Sequence, residues 1–222
     1  MHGLSQDALR GRRPAAAGVS PAARAYCHSC RKPQVTCYCA DLRPVSSRPR
    51  VVILMHPLEA RHAVGTGRMA HRCLSNSKLW IGERFGPESE LAALLRDPGV
   101  SPMLLFPGSD SLALDGLPDG DRSRVLNPAR EPVLIVLDAT WSLAKKMLRQ
   151  SSALEGVPRV SFSPAGKSGF LVRRQPRPEC LSSLEAIHRV LSLLDHPERY
   201  AGMLGVFEGM VRRQIAFSRC LP

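Results

Sequence analysis

The chain has little aromatic surface and no long apolar run. Phe, Trp and Tyr make up 5% of its 222 residues, too few for a broad platform on which single-stranded nucleic acid would stack. No apolar stretch approaches the ~20 residues needed to cross a bilayer, which predicts a soluble protein with no membrane partner. A secretory leader with a continuous apolar segment is also missing. Seven cysteines are present, but the chain is too large for a disulfide-stapled mini-domain, and a reducing, cytoplasmic setting is expected. Acids are scarce as well. Against 31 Lys and Arg there are 19 Asp and Glu, a formal charge of +12. Such an excess favours a polyanion, because Lys and Arg displace counterions from phosphates, and nucleic acid is the first partner to consider.

The length suits one well-buried domain with an appendage. Residues 1–24 are rich in Ala, Arg, Gly and Pro with a single acid, Asp7; they read as a disordered basic tail, with an organellar transit peptide as the alternative. Residues 25–48 hold a compact cysteine cluster and a Pro/Ser/Arg linker, and residues 49–222 form the main domain. There, apolar runs at 51–56, 78–82, 103–107, 133–138 and 159–163 read as strands. Helical spacing covers 66–76, 89–97, 140 to about 151, 181–194 and 199–219, and 108–132 reads as a long loop. Buried strands alternating with helices predict an α/β fold: a mostly parallel sheet with helices on both faces. Such sheets bind ligands beyond the carboxyl ends of their strands. In "VLIVLDATW" the apolar run ends at Asp138, where this architecture places chemistry.

Cys27, Cys30, Cys37 and Cys39 give C-x2-C-x6-C-x-C, enough for a closed tetrahedral zinc site of structural type. Cys73, Cys180 and Cys220 are scattered and read as ordinary thiols. In "HPLEARHAVGTGR", His56, Glu59, Arg61 and His62 crowd the end of the first strand, and Gly65, Thr66 and Gly67 precede a helix whose free N–H groups suit an anion or simply start a helix. Arg61, Arg68 and Arg72 face phosphate or solvent. In "LVRRQPRPECLSSLEA", Ser182 and Glu185 have the spacing of a capping box, and Arg173, Arg174 and Arg177 are candidate phosphate contacts. Asp138 is a candidate catalytic group, an N-cap or an ion-pair partner; Thr140 suits a cap and Trp141 the core.

Together these segments resemble the DTW-domain family of tRNA-uridine aminocarboxypropyltransferases. The pieces stand in family order: the cysteine cluster, "HPLEARHAVGTGR" near H-P-x-E…T-N-T-G, "LLFPG" near a Y-P motif, "LDATW" near D-x-T-W, and "RRQPRPECLSSLEA" near R-K-Q-P…L-S-T-L-E-A. Gly65, Ala139 and Ser183 depart from the family's usual Asn, Gly and Thr. The resemblance implies a SPOUT-like fold with a trefoil knot, S-adenosylmethionine as co-substrate, and transfer of its 3-amino-3-carboxypropyl chain to N3 of a tRNA uridine. It makes Asp138 the candidate base, with Thr140 and Trp141 shaping the catalytic pocket. Phe106, Pro107, Gly108, Ser109, Leu137, Leu181, Ser182, Ser183 and Leu184 become the candidate S-adenosylmethionine contacts. His56, Glu59, Arg61, Arg68, Arg173, Arg174 and Arg177 become the candidate tRNA contacts, on a chain expected to act as a monomer. The competing readings are an S-adenosylmethionine-dependent RNA methyltransferase and a non-catalytic zinc-containing RNA-binding protein.

Overall fold

A computed structural model describes residues 25–62, 64–118, 121, 125–164, 166–173 and 180–219. The expected tail, residues 1–24, lies outside them, as do Arg174 and Arg177. The elements are β1 (Arg50–Met55), α1 (Pro57–Arg61), α2 (Thr66–Cys73), β2 (Lys78–Ile81), α3 (Glu90–Leu95), β3 (Val100–Leu105), β4 (Leu112–Ala113), β5 (Glu131–Asp138), α4 (Trp141–Gln150), β6 (Arg159–Ser161), α5 (Ser183–Leu194) and α6 (Pro197–Arg219). The strands form one six-stranded sheet in the order β2-β1-β5-β3-β6-β4. Every adjacent pair is parallel, as the continuous apolar runs predict for strands covered on both sides.

Alternation along the two central strands sorts the side chains into two cores. Val51, Ile53, Leu134 and Val136 face a layer built from α2, α5 and α6, with Met69, Leu184, Ile187, Leu191 and Phe207. Val52, Leu54, Val133 and Ile135 face the opposite layer, with Leu91 of α3 and Ala144 and Met147 of α4. The same parity carries Asp138 onto the α2/α5 side, two steps beyond Val136.

Three elements depart from expectation. The segment 108–132 is not wholly loop, since it carries β4 and the start of β5. β3 begins at Val100 and includes Pro102. The N–H groups of Leu104 and Phe106 reach the β6 segment at Pro158 and Val160, so the missing donor of Pro102 faces the same side one step before β6 begins, and no ladder bond is lost. The short helix α1 follows β1 at once because His56 caps it, accepting from the Leu58 N–H at 3.1 Å, with Pro57 in the first turn.

The cysteine segment shares the main core. Cys30 and Tyr38 are buried among residues of α5 and α6, with Cys27, Cys37 and Cys39 packed against them. The linker is tied down by the Val45 bridge to Leu74, by Ser47 bonded to Asn76, and by the Arg48 N–H donating to the Tyr200 hydroxyl.

Candidate active site

The chain leaves β1 toward β2 on one side and leaves β5 toward β6 on the other. The sheet's switch point therefore lies between β1 and β5, where an open parallel sheet leaves a crevice for ligand. Register places Met55 beside Asp138, and the His56 N–H donates to the Asp138 carbonyl at 3.0 Å. More than half of the buried polar side chains among the described residues gather here: His56, Glu59, Thr66, Asp138 and Ser182. Buried polar groups are costly without partners, so their concentration marks a functional region.

Asp138 is 5% exposed. Ser183, in the first turn of α5, donates its hydroxyl to Asp138 Oδ1 in a short hydrogen bond. Oδ2 is buried and has no hydrogen-bond partner among the described residues. Burial pushes the carboxyl up, the Ser183 bond and the Arg173 and Arg68 charges pull it down, and the Glu59 charge adds to the rise; the result is a pKa of about 6 against an ordinary 3.8. A carboxylate so placed is a workable base near neutral pH.

Behind it lies a bidentate ion pair. Arg173 donates to both Glu59 oxygens, at 2.7 and 2.8 Å. Burial alone would raise the Glu59 carboxyl, but the Arg173 hydrogen bonds and charge, with His62 and His56, hold it below its ordinary value. The loop bearing Arg173 is anchored by Glu185, whose carboxylate accepts from Ser168 Oγ and the Gly169 N–H, both at 2.7 Å. Glu185 also accepts from the Ser182 N–H at 2.8 Å, completing with Ser182 the expected capping box. One side chain thus fixes both the start of α5 and the loop carrying Phe170 and Arg173.

Two cavities meet at this point. The larger, about 440 Å³, is walled by Leu105, Phe106, Pro107, Val136, Leu137, Phe162, Pro164 and Ala186. The smaller, about 160 Å³, is walled by Glu59, Thr66, Asp138, Thr140, Phe170, Arg173 and Ser182. Ala139, Trp141, Cys180, Leu181 and Ser183 line both. One chamber is mainly apolar and suits a small molecule; the other is polar and holds the carboxylate. Trp141 stands at their junction, 47% exposed, its ring edge-on to Phe106 at 6.1 Å.

The predicted residues sort accordingly. Asp138, Thr140 and Trp141 come together, as do Phe106, Pro107, Leu137, Leu181, Ser182 and Ser183. Gly108 and Ser109 are exposed in the following turn and line neither cavity. Leu184 is wholly buried in the α5 core stripe, because its spacing to Ile187 and Leu191 turns it away from the site. His56 and Glu59 are buried; His56 Nδ1 caps α1 and its Nε2 lies 3.8 Å from Glu83, while Glu59 is bound by Arg173, so neither lies on an outer surface as an RNA contact would. Arg61 is exposed, and Arg68 is half-buried with Nη2 unpartnered among the described residues. The sequence reading missed Phe170, for which no signal existed. It also missed the reason for Gly67: a Cβ there would overlap the Asp138 carboxylate.

At the other end of the core, the four sulfurs of Cys27, Cys30, Cys37 and Cys39 lie within 4.8 Å of one another. Cys27 to Cys39 and Cys30 to Cys37 are each 3.7 Å. Tetrahedral thiolates at about 2.3 Å from a zinc stand roughly 3.8 Å apart, so the donor set fits that ion. Arg31, at φ 59°, closes the first Cys-x2-Cys turn, and its N–H returns to the Cys27 carbonyl at 2.8 Å.

The sequence signature of the DTW domain matches residues 24–215. The chain is 31% identical over 182 residues to "tRNA-uridine aminocarboxypropyltransferase 2" of Drosophila melanogaster, covering 79% of this chain and 68% of the relative. The mouse protein of the same name is 31% identical over 179 residues, covering 78% and 57%. "tRNA-uridine aminocarboxypropyltransferase A" of Arabidopsis thaliana is 28% identical over 219 residues, covering 86% and 81%. No solved structure matches the chain.

Proposed function

Because the chain belongs to the DTW-domain family, we infer that it is a tRNA-uridine aminocarboxypropyltransferase drawing its alkyl group from S-adenosylmethionine. The single observation that carries this reading is a raised-pKa carboxylate with one unpartnered oxygen, set where an apolar chamber meets a polar one. The apolar chamber takes the donor, against Phe106, Pro107, Leu137, Leu181 and Ser183. The polar chamber takes the acceptor uracil.

Uridine N3 carries a proton and is a poor nucleophile until that proton leaves. The Asp138 carboxylate accepts it as N3 attacks Cγ of the methionine chain. The new N–C bond forms as the C–S bond breaks, and the electron pair of that bond returns to sulfur, which departs as neutral methylthioadenosine. Three carbons on the sulfonium are electrophilic, so the walls select one by alignment. Ser183 holds the carboxylate in place through Oδ1. Thr140 and Trp141 shape the junction, and the Glu59–Arg173 pair supports the floor.

Cys27, Cys30, Cys37 and Cys39, in the module of residues 25–48, would hold a structural zinc; closed thiolate coordination leaves no position for substrate. Residues 49–222 are the catalytic unit. Reduced thiols suit a cytoplasmic enzyme, and no described helix is long and apolar enough to cross a membrane. Arg61 and Arg68 beside the site, with Arg174 and Arg177, are the tRNA contacts retained from the sequence.

The test is transfer to unmodified tRNA from S-adenosylmethionine labelled either in the methyl group or in the carboxypropyl chain. Chain label alone in the tRNA is expected. Methyl label alone would make this a methyltransferase, and no label with saturable RNA binding would favour a binding protein.

A further inference from the structure

We infer that the exposed basic face of α4 is the track that holds the phosphate backbone of the RNA flanking the acceptor nucleotide. This rests on the tRNA reading above and adds a surface to it: Lys145, Lys146 and Arg149.

α4 begins at the site, with Trp141 as its first helical residue. A helix rises 1.5 Å per residue, so Lys145 and Arg149 follow Trp141 by about 6 and 12 Å along the axis on the same side. Lys146 stands beside them. All three cations are exposed, while Ala144 and Met147 bury the opposite face. Trp141 is exposed too, and it walls both cavities. The stripe is therefore continuous with the mouth of the active site.

A charged helix face often does no more than solvate, and this chain shows how it does so elsewhere. In and beside α6, cations are matched to acids four residues away, as Arg199 is to Asp195 and Arg212 to Glu208. α4, "WSLAKKMLRQ", contains no acid, and none of its three cations forms an ion pair with a described residue. Unopposed like charges within one helical turn repel one another, and an arriving polyanion relieves that repulsion. Phosphate contacts of this kind fix register without reading sequence. They suit an enzyme whose base recognition happens inside a chamber.

The experiment compares the full-length wild type with the Lys145→Ala/Lys146→Ala/Arg149→Ala variant, and with the charge-conserving Lys145→Arg/Lys146→Arg/Arg149→Lys variant. Binding of unmodified tRNA is titrated across a series of salt concentrations, alongside S-adenosylmethionine binding and thermal melting. The alanine variant is expected to bind tRNA at least about tenfold more weakly at 0.1 M salt, with a slope of log affinity against log salt flatter by about 2–3. Its melting temperature and donor binding should match wild type, and the charge-conserving variant should bind tRNA normally. Equal affinity and slope in the alanine variant would overturn the inference. So would loss of binding to poly-glutamate with tRNA binding intact, which would mark the face as a site for an acidic protein. Product formation by wild type separates the two levels: a wild type that transfers the carboxypropyl chain beside an alanine variant of unchanged slope sinks the track alone, whereas a wild type without transfer sinks the enzymatic reading.

Discussion

Gly67 lies directly against the Asp138 carboxylate, so close that a side chain on one would displace the side chain of the other. The first turn of α2 and the end of β5 thus fit together only if position 67 has no Cβ. Gly67→Ala is expected to turn Asp138 away from Ser183. Overpacking of this kind costs about 1–3 kcal/mol of stability, but misplacing a reacting group costs roughly a hundredfold in turnover. Thermal melting and turnover measured together check this. Unimpaired turnover would mean that Asp138 does not act from the position described.

Asp138→Asn separates function from stability. A carboxyl raised from 3.8 to about 6 binds more protons folded than unfolded between those values, so stability falls as pH rises through that window and remains reduced above it. Asparagine carries no charge to desolvate. The variant should lose transfer while being more stable than wild type at pH 8, by up to about 3 kcal/mol, with the difference disappearing toward pH 4. Denaturant titrations at both pH values measure it; a variant less stable at pH 8 would contradict the burial account.

Two neighbours should move the acid limb of the rate profile in opposite directions. The Ser183 hydroxyl lowers the Asp138 pKa and the Glu59 charge raises it. Ser183→Ala therefore shifts the limb to higher pH and Glu59→Gln shifts it to lower pH, each by up to about one unit. The carboxyl must be ionised to act, so Ser183→Ala recovers rate as pH rises. A shift of both variants in one direction would rule out this electrostatic arrangement. Glu59→Gln also leaves the half-exposed Arg173 without its charge partner, for a loss of about 1–2 kcal/mol.

Cys30→Ser should release the metal and destabilise the whole domain, because Cys30 is 4% exposed within the main core. Metal analysis of wild type should give one zinc per chain, and the variant less than half of that with a loss of several kcal/mol. Cys73→Ser, outside the cluster, should keep its full metal content.

What the sequence made legible was local and periodic. The apolar runs located the central strands and set Asp138 at the carboxyl end of one of them, and the Ser182 to Glu185 spacing foretold the cap. The compact cysteine spacing predicted a four-thiol donor set of zinc-site type, and the four sulfurs do lie within 4.8 Å of one another. What it concealed depended on distant segments meeting. Glu59 and Arg173 are 114 residues apart, and nothing in either segment announces that they neutralise each other instead of meeting RNA. Phe170 reaches the polar chamber only because Glu185 draws its loop inward. Leu184 carries two readings at once: its helical phase puts the side chain in the core, where it is found, and its place in a family motif assigns its backbone to the donor.

The bond from Ser183 to Asp138 spans 45 residues. During synthesis at about 5–20 residues per second, Asp138 is made roughly 2–9 s before its partner. Through that interval neither chamber has the wall supplied by residues 180–186. In this chain Asp138 receives its hydrogen-bond partner and both chambers receive their shared wall from one late-made segment, so the pocket and the fixed carboxylate form in the same step.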